Sequence, residues 1–317
     1  MTNELKSTFK SSDTEEWLDI YFTRPIGLLW ARLFRSLGIH PNVVTLLSII
    51  LGIAAGICFY FPDYVHTIFG ILLLMWANFY DSADGQLARM TGQKTRMGRM
   101  LDGFAGDAWF FTIYAAICLR LQGGAMPFGK NETWGLWIWM LAALSGLKCH
   151  AEQCRLADYY RNIHLWIIKG ETGSELDNST TLNKEYSTLN WRNDTLWKLF
   201  IFFYKRYTKA QEESTPAFQQ LRSHIVGTNE FTAEQRAAFR AGSLPLMKWT
   251  NILTFNTRAI VLYTSLLVMQ PWIYFIAEIT VFQTIYYYMR WKHENLCKQM
   301  LHTILNILQK NNVSLNQ

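Results

Sequence analysis

Along this chain, apolar runs nearly as long as a lipid bilayer is thick alternate with short polar links, and one long polar stretch interrupts them. A helix needs about 20 mostly apolar residues to cross a hydrocarbon core about 30 Å thick. Six segments approach that length, at 43–61, 65–80, 104–121, 134–147, 252–269 and 271–289. Three of them carry a charge: Asp107 in the third, Arg258 in the fifth and Glu278 in the sixth. Upstream, Trp17, Ile20, Tyr21, Ile26, Leu28, Leu29, Leu33 and Phe34 alternate with Arg24, Arg32 and Arg35 at helical spacing, as in an amphipathic helix lying along the interface. Residues 156–246 hold no long apolar run; within them 171–190 reads as loop, and 196–207 (LWKLFIFFYKRY) as an aromatic, basic, interfacial segment. The pattern predicts an all-α integral membrane protein with six transmembrane helices. Residues 1–40 form a cytosolic segment with the interfacial helix, 41–155 transmembrane helices one to four, 156–247 a cytosolic helical insert, 248–290 helices five and six, and 291–317 a cytosolic tail.

Composition sharpens this picture. Of 317 residues, 50% are hydrophobic, 15% aromatic and only 17% charged, where a soluble domain carries nearer a quarter. The mean hydropathy of +0.02 averages two unlike kinds of sequence. A disordered chain and a small disulfide scaffold are both excluded. Five scattered cysteines, Cys58, Cys118, Cys149, Cys154 and Cys297, form no CxxC pair and read as reduced packing residues.

Basic residues set the orientation. They crowd the N-terminal segment, the link with Arg89, Lys94, Arg96 and Arg99, the polar insert and the tail, whereas the opposite side has Lys130, with Arg120 at its edge. The positive-inside rule places both termini, the 89–99 link and the insert in the cytoplasm. The net charge of +6 then reflects topology and anionic headgroups, and nucleic acid is not needed as a partner. The N-terminal segment lacks the cleavage site of a signal peptide. Sequons at Asn131, Asn178, Asn193 and Asn312 mean little when three of them face the cytosol.

Candidate chemistry sits where the second span meets the cytoplasm. Asp81, Asp84, Gly85 and Ala88 fall in one sector of a helix, because successive residues turn by about 100°. Two carboxylates and two small residues then share a face, beside the planar cation of Arg89. With Asp102 and Asp107, four acids near the hydrocarbon edge would repel one another unless a cation compensates. Oxygen ligands without thiol or imidazole favour Mg²⁺ or Mn²⁺, and four acids leave room for two ions about 4 Å apart. An isolated DxxDG is more often a helix end with solvated acids, but that reading does not account for Ala88, Arg89, Gly98 and Asp102 at their spacings.

Asp81, Asp84, Gly85, Ala88, Arg89, Gly98 and Asp102 fit DxxDGxxAR followed after eight residues by GxxxD. This resembles the signature of the CDP-alcohol phosphotransferase family, also called CDP-alcohol phosphatidyltransferases. His40, Pro41, Asn42 and Thr45 are similar to the PNxxT that opens the family's first membrane helix. The resemblance implies a membrane enzyme that cleaves the pyrophosphate of a CDP-alcohol, transfers a phosphatidyl or phosphoalcohol group to a hydroxyl and releases CMP. It also implies that Asp81, Asp84 and Asp102 hold the metals, that Asn42, Thr45, Gly85, Ala88 and Arg89 line the nucleotide and its phosphates, and that Gly98 permits close helix approach. It leaves a homodimer open.

One position departs from the pattern. The family's last Asp would stand at 106, where this chain has Gly106 followed by Asp107. On a regular helix a five-residue offset turns Asp107 about 140° from Asp102. A π-type bulge, eased by Gly103 and Gly106, would restore it as metal ligand and as the base that takes the acceptor's proton. Lys148 and Arg258 are the expected acceptor-binding cations, and the alternative for each is snorkelling or a structural ion pair, as with Glu278. Two cations beside the metals, similar to the basic pocket of the family's inositol-phosphate branch, would suit a polar alcohol acceptor carrying its own phosphate, inositol phosphate above all. Three other readings stand beside the expected transfer from CDP-diacylglycerol: CDP-choline or CDP-ethanolamine donating to diacylglycerol, an ion-binding transporter, and an inactive scaffold.

Overall fold

A computed structural model describes residues 11–127, 129, 132–170, 174, 176–228 and 231–315, with side chains to residue 306. Lys130 and Asn131 lie outside the described residues. Among the described residues, all the secondary structure beyond one isolated β-bridge, Ala125 with Thr133, is helical. The helices are α1 (Arg24–Ser36), α2 (Pro41–Cys58), α3 (Tyr64–Thr91), α4 (Arg96–Leu121), α5 (Trp137–Ala143), α6 (Ala151–Lys169), α7 (Ser179–Thr188), α8 (Thr195–Ser214), α9 (Pro216–Thr228), α10 (Ala233–Ile252), α11 (Phe255–Leu267), α12 (Trp272–Ala277) and α13 (Gln283–Leu315). Wider π-helical turns occupy Asp19–Thr23, Leu144–His150 and Glu278–Phe282.

The chain divides into two compact units. The first comprises Met1–Glu152 and Phe255–Phe282. Local chemistry sets its helix ends. Pro41 opens α2 with the ring of His40 accepting from the Asn42 amide, and Asp63 and Thr95 cap α3 and α4 by accepting from His66 and Gly98. Gly92, at φ 70°, closes α3 in the left-handed conformation. Small residues let the helices approach: a Cβ on Gly52 would stand 2.0 Å from the Trp109 ring, whose Nε1 donates to the Ser48 carbonyl at 3.0 Å. Around this contact Phe59, Leu74, Ala77, Ile113, Leu262, Tyr274 and Phe275 are fully buried, while Ile50, Val65, Phe69 and Phe111 face outward. An apolar core with an apolar exterior suits a hydrocarbon surround.

Each of the six apolar segments is helical over most of its length. Two helices, Pro41–Cys58 and Arg96–Leu121, are long and apolar enough to cross a membrane. Helix α1 lies on α3, where a Cβ on Gly27 would meet Ser82 and Gln86, and Gln86 Nε2 donates to the Arg24 carbonyl at 3.1 Å.

The second unit comprises Gln153–Thr254 and Gln283–Gln317. The described part of the expected cytosolic tail, 291–315, lies within α13, which packs on α9 and α10. His293 stacks on Tyr160 at 3.8 Å, and burial pushes its pKa down to about 3, so the ring is neutral. The loop expected over 171–190 is a helix from Ser179 to Thr188. The Asn178 side chain accepts from the Thr180 and Thr181 amides, and this cap overrides a run of residues that favour turns.

Candidate metal and nucleotide site

Asp81, Asp84 and Asp102 come together where α3 and α4 meet, with one carboxylate oxygen of each within 4.8 Å of the others. Helix α3 supplies the first two from one face, three residues apart, and α4 returns after the turn at Gly92 to supply the third. Asp84 is buried, Asp81 half-buried and Asp102 exposed. Thr45, a turn into α2, donates its hydroxyl to Asp84 Oδ2 at 2.5 Å and fixes that carboxylate's rotamer. Burial, followed by the charge of Asp102, pushes the pKa of Asp84 well above the ordinary carboxylate range; the same two causes, with Asp84 adding to them, raise Asp81. Without a cation these acids favour protons, and a divalent ion relieves the same repulsion.

The other motif residues surround the trio. A Cβ on Gly85 would lie 3.4 Å from the Arg89 guanidinium, so the glycine keeps open the space beside that cation. Nε and Nη2 of Arg89 are buried without a hydrogen-bond partner, an arrangement that costs free energy unless an anion arrives. Burial, then the nearby charge of Arg24, brings the pKa of Arg89 down to about 10, which leaves it cationic at neutral pH. A Cβ on Gly98 would sit 3.0 Å from Asn42 Oδ1, so this glycine lets the N-termini of α2 and α4 touch. Ala88 is half-buried one helical turn beyond Asp84, and Gly103 and Gly106 border open space. An all-oxygen donor set beside an unpartnered guanidinium fits Mg²⁺ or Mn²⁺ with a phosphate group.

Three expected roles change. Helix α4 is regular α-helix from Arg96 to Leu121, with no π turn at Gly103–Gly106, so Asp107 points away from Asp102 and is not part of the trio. The π turns fall instead at Asp19–Thr23, Leu144–His150 and Glu278–Phe282. Lys148 is exposed and paired with Glu152 at 2.6 Å. Arg258 is fully buried and donates to both oxygens of Glu278 at 2.5 Å. His150 Nδ1 lies 3.0 Å from the same guanidinium, and the Tyr274 hydroxyl donates to Glu278. Arg258 is therefore a member of a closed ion-pair network rather than an open basic pocket.

The structure adds Arg24 and Glu15 to the site. Arg24 donates to both Glu15 oxygens at 3.1 and 3.0 Å, and its charge acts on Asp81 and Arg89. Arg24 read only as part of an amphipathic stripe. The available signal was the pair Gly27 and Gln86, which lock α1 to the helix bearing the acids.

Residues 38–155, which hold the trio and all the motif residues around it, match the model of the CDP-alcohol phosphatidyltransferase family. Over this stretch the chain is similar to that family, whose members are transferases of phosphate-containing groups. Archaetidylinositol phosphate synthase of Pyrococcus horikoshii is 39% identical over 67 residues, which make up 21% of this chain and 34% of that protein. The chain thus aligns with about a third of the length of that curated relative. No solved structure matches.

Proposed function

We propose that this chain is a metal-dependent phosphatidyltransferase of phospholipid biosynthesis. It moves the phosphatidyl group from CDP-diacylglycerol to a polar alcohol, inositol phosphate by preference, and releases CMP. It works as a multi-pass protein with six spans, its site and both termini on the cytoplasmic side. The observation that carries this reading is the convergence of three carboxylates beside a guanidinium with two unpartnered nitrogens. The name of the partly aligned relative, archaetidylinositol phosphate synthase, supports the choice of acceptor.

Asp81, Asp84 and Asp102 would hold Mg²⁺ or Mn²⁺, and metal so bound supplies charge neutralisation for the diphosphate and the departing CMP. Arg89 binds phosphate oxygens through the nitrogens that lack partners. Thr45 orients Asp84 by donating to it, and its hydrogen bond favours the ionised form against the opposing effect of burial. Asn42 and Gly98 set the wall against which the nucleotide lies, with Gly85 and Ala88 giving it room. Asp102, the exposed member of the trio, takes the proton from the acceptor hydroxyl. The acceptor oxygen bonds to the phosphatidyl phosphorus as that phosphorus loses its bond to the CMP oxygen, so CMP leaves with the electron pair.

The test supplies radiolabelled CDP-diacylglycerol, Mg²⁺ and a panel of acceptors to the purified chain. Lipid product with inositol phosphate, together with CMP, is expected. Absence of CMP release with every acceptor overturns the reading, and product from CDP-choline and diacylglycerol alone reverses donor and acceptor.

A further inference from the structure

We infer that the outer face of α8, in the second unit, is a docking surface for an anionic lipid bilayer. This goes beyond the proposed chemistry and holds whether or not the carboxylate site turns over. Leu196, Leu199, Phe203 and Tyr207 recur at intervals of three and four, so they form one stripe along the helix. All four are exposed, Leu196 at 70% and Phe203 at 62%, and Trp191 in the preceding turn is exposed as well. The opposite face, Ile201, Thr208 and Gln211, is buried, so α8 is already seated on its own unit and presents this stripe outward. Four large apolar side chains in one row form a patch of the kind that soluble surfaces avoid unless it has a partner.

The charge beside the stripe identifies the partner. Arg206 and Lys209 are exposed on the side of the helix next to Leu199, whereas Lys198 and Lys205 turn back onto the unit and donate to the Leu189 carbonyl and to Asn183. Arg206 lies over the Phe202 ring at 5.4 Å, and Lys198 and Lys205 both lie over Tyr186. Lys209 is 67% exposed, with Glu213 at 3.7 Å. Aromatic and leucine side chains with lysine and arginine alongside match the boundary between headgroups and acyl chains, where rings sit at headgroup depth and cations meet anionic lipid.

The full chain is reconstituted in nanodiscs of phosphatidylcholine alone or with phosphatidylglycerol. A bimane label goes on Phe203→Cys, or on Lys184→Cys on the exposed face of α7, and the unsubstituted chain gives the background from native cysteines. Brominated lipid is expected to quench the label at 203 and not at 184, more strongly when phosphatidylglycerol is present. Reversing Arg206 and Lys209 (R206E/K209E) should weaken the anionic preference by about fivefold per charge. In the unsubstituted chain, amide exchange across 196–207 should be slower in the anionic discs. Equal access of aqueous iodide to 203 and 184, with equal exchange in both lipids, overturns the inference. A disulfide between two copies through position 203 also overturns it, in favour of self-association.

Discussion

Glu278→Gln is the substitution that separates a structural Arg258 from one that binds acceptor. Both side chains of this pair have no exposed surface, and Arg258 meets both Glu278 oxygens at 2.5 Å. Glutamine preserves the shape and one acceptor oxygen but leaves the guanidinium without its counter-ion. Breaking a buried pair from one side costs about 3–5 kcal/mol, because the remaining charge stays desolvated. At about 2–4 °C per kcal/mol for a domain of this size, the melting temperature should fall by about 6–20 °C. The double variant Arg258→Met with Glu278→Leu removes both charges and should recover most of that loss. Thermal unfolding in detergent, followed by intrinsic fluorescence, measures both variants, and acceptor titration on the folded fraction measures KM. If E278Q melts within about 1 °C of the parent while KM for a phosphorylated acceptor rises about tenfold, the pair is not a closed structural unit and the reasoning fails.

The remaining predictions concern the carboxylate site. Asn at Asp81, Asp84 or Asp102 should each lower kcat by at least about a thousandfold, whereas Asp107→Asn should change it by less than about tenfold; steady-state assays of CMP release distinguish the two. Because Asp81 and Asp84 titrate above the ordinary carboxylate range, protons compete with metal over a window shifted upward. Mg²⁺ affinity by calorimetry should therefore fall by up to about tenfold per pH unit, per proton displaced, as pH drops through that window; a flat profile would contradict the raised values. Arg24→Ala should weaken binding of CDP more than of CMP, by about tenfold, since removing that cation affects the phosphates more than the base; equal weakening of both would make Arg24 purely structural.

Much of the site was legible because its spacing is helical: 81, 84, 85 and 88 must share a face on any regular helix, and a second helix returning after Gly92 can place Asp102 opposite them. Asp107 was misjudged for the same reason that the others were found. The offset rule gave the correct angle, and the supposed bulge was added to save a role that the regular helix does not grant. The π turns at Leu144–His150 and Glu278–Phe282 bring His150 and Glu278 to Arg258 across 108 and 20 residues of sequence separation, which periodicity cannot reveal. For Arg258 the sequence leaves acceptor binding and a structural pair with Glu278 equally open, and the buried contact decides for the pair; Lys148 finds its partner in Glu152, one turn along. The helix at Ser179–Thr188 was hidden by residues that favour turns in isolation; the single cap at Asn178 decides it.

Thr45, Asp84 and Asp102 all come from three consecutive helices, α2 to α4, and the contacts that align them, from Gly52 to Trp109 and from Gly98 to Asn42, lie within that same stretch. During synthesis the ion-gripping arrangement is therefore complete as soon as α4 has left the ribosome, well before α7 to α13 exist. A released fragment ending at residue 121 would already have the parts to capture a divalent cation.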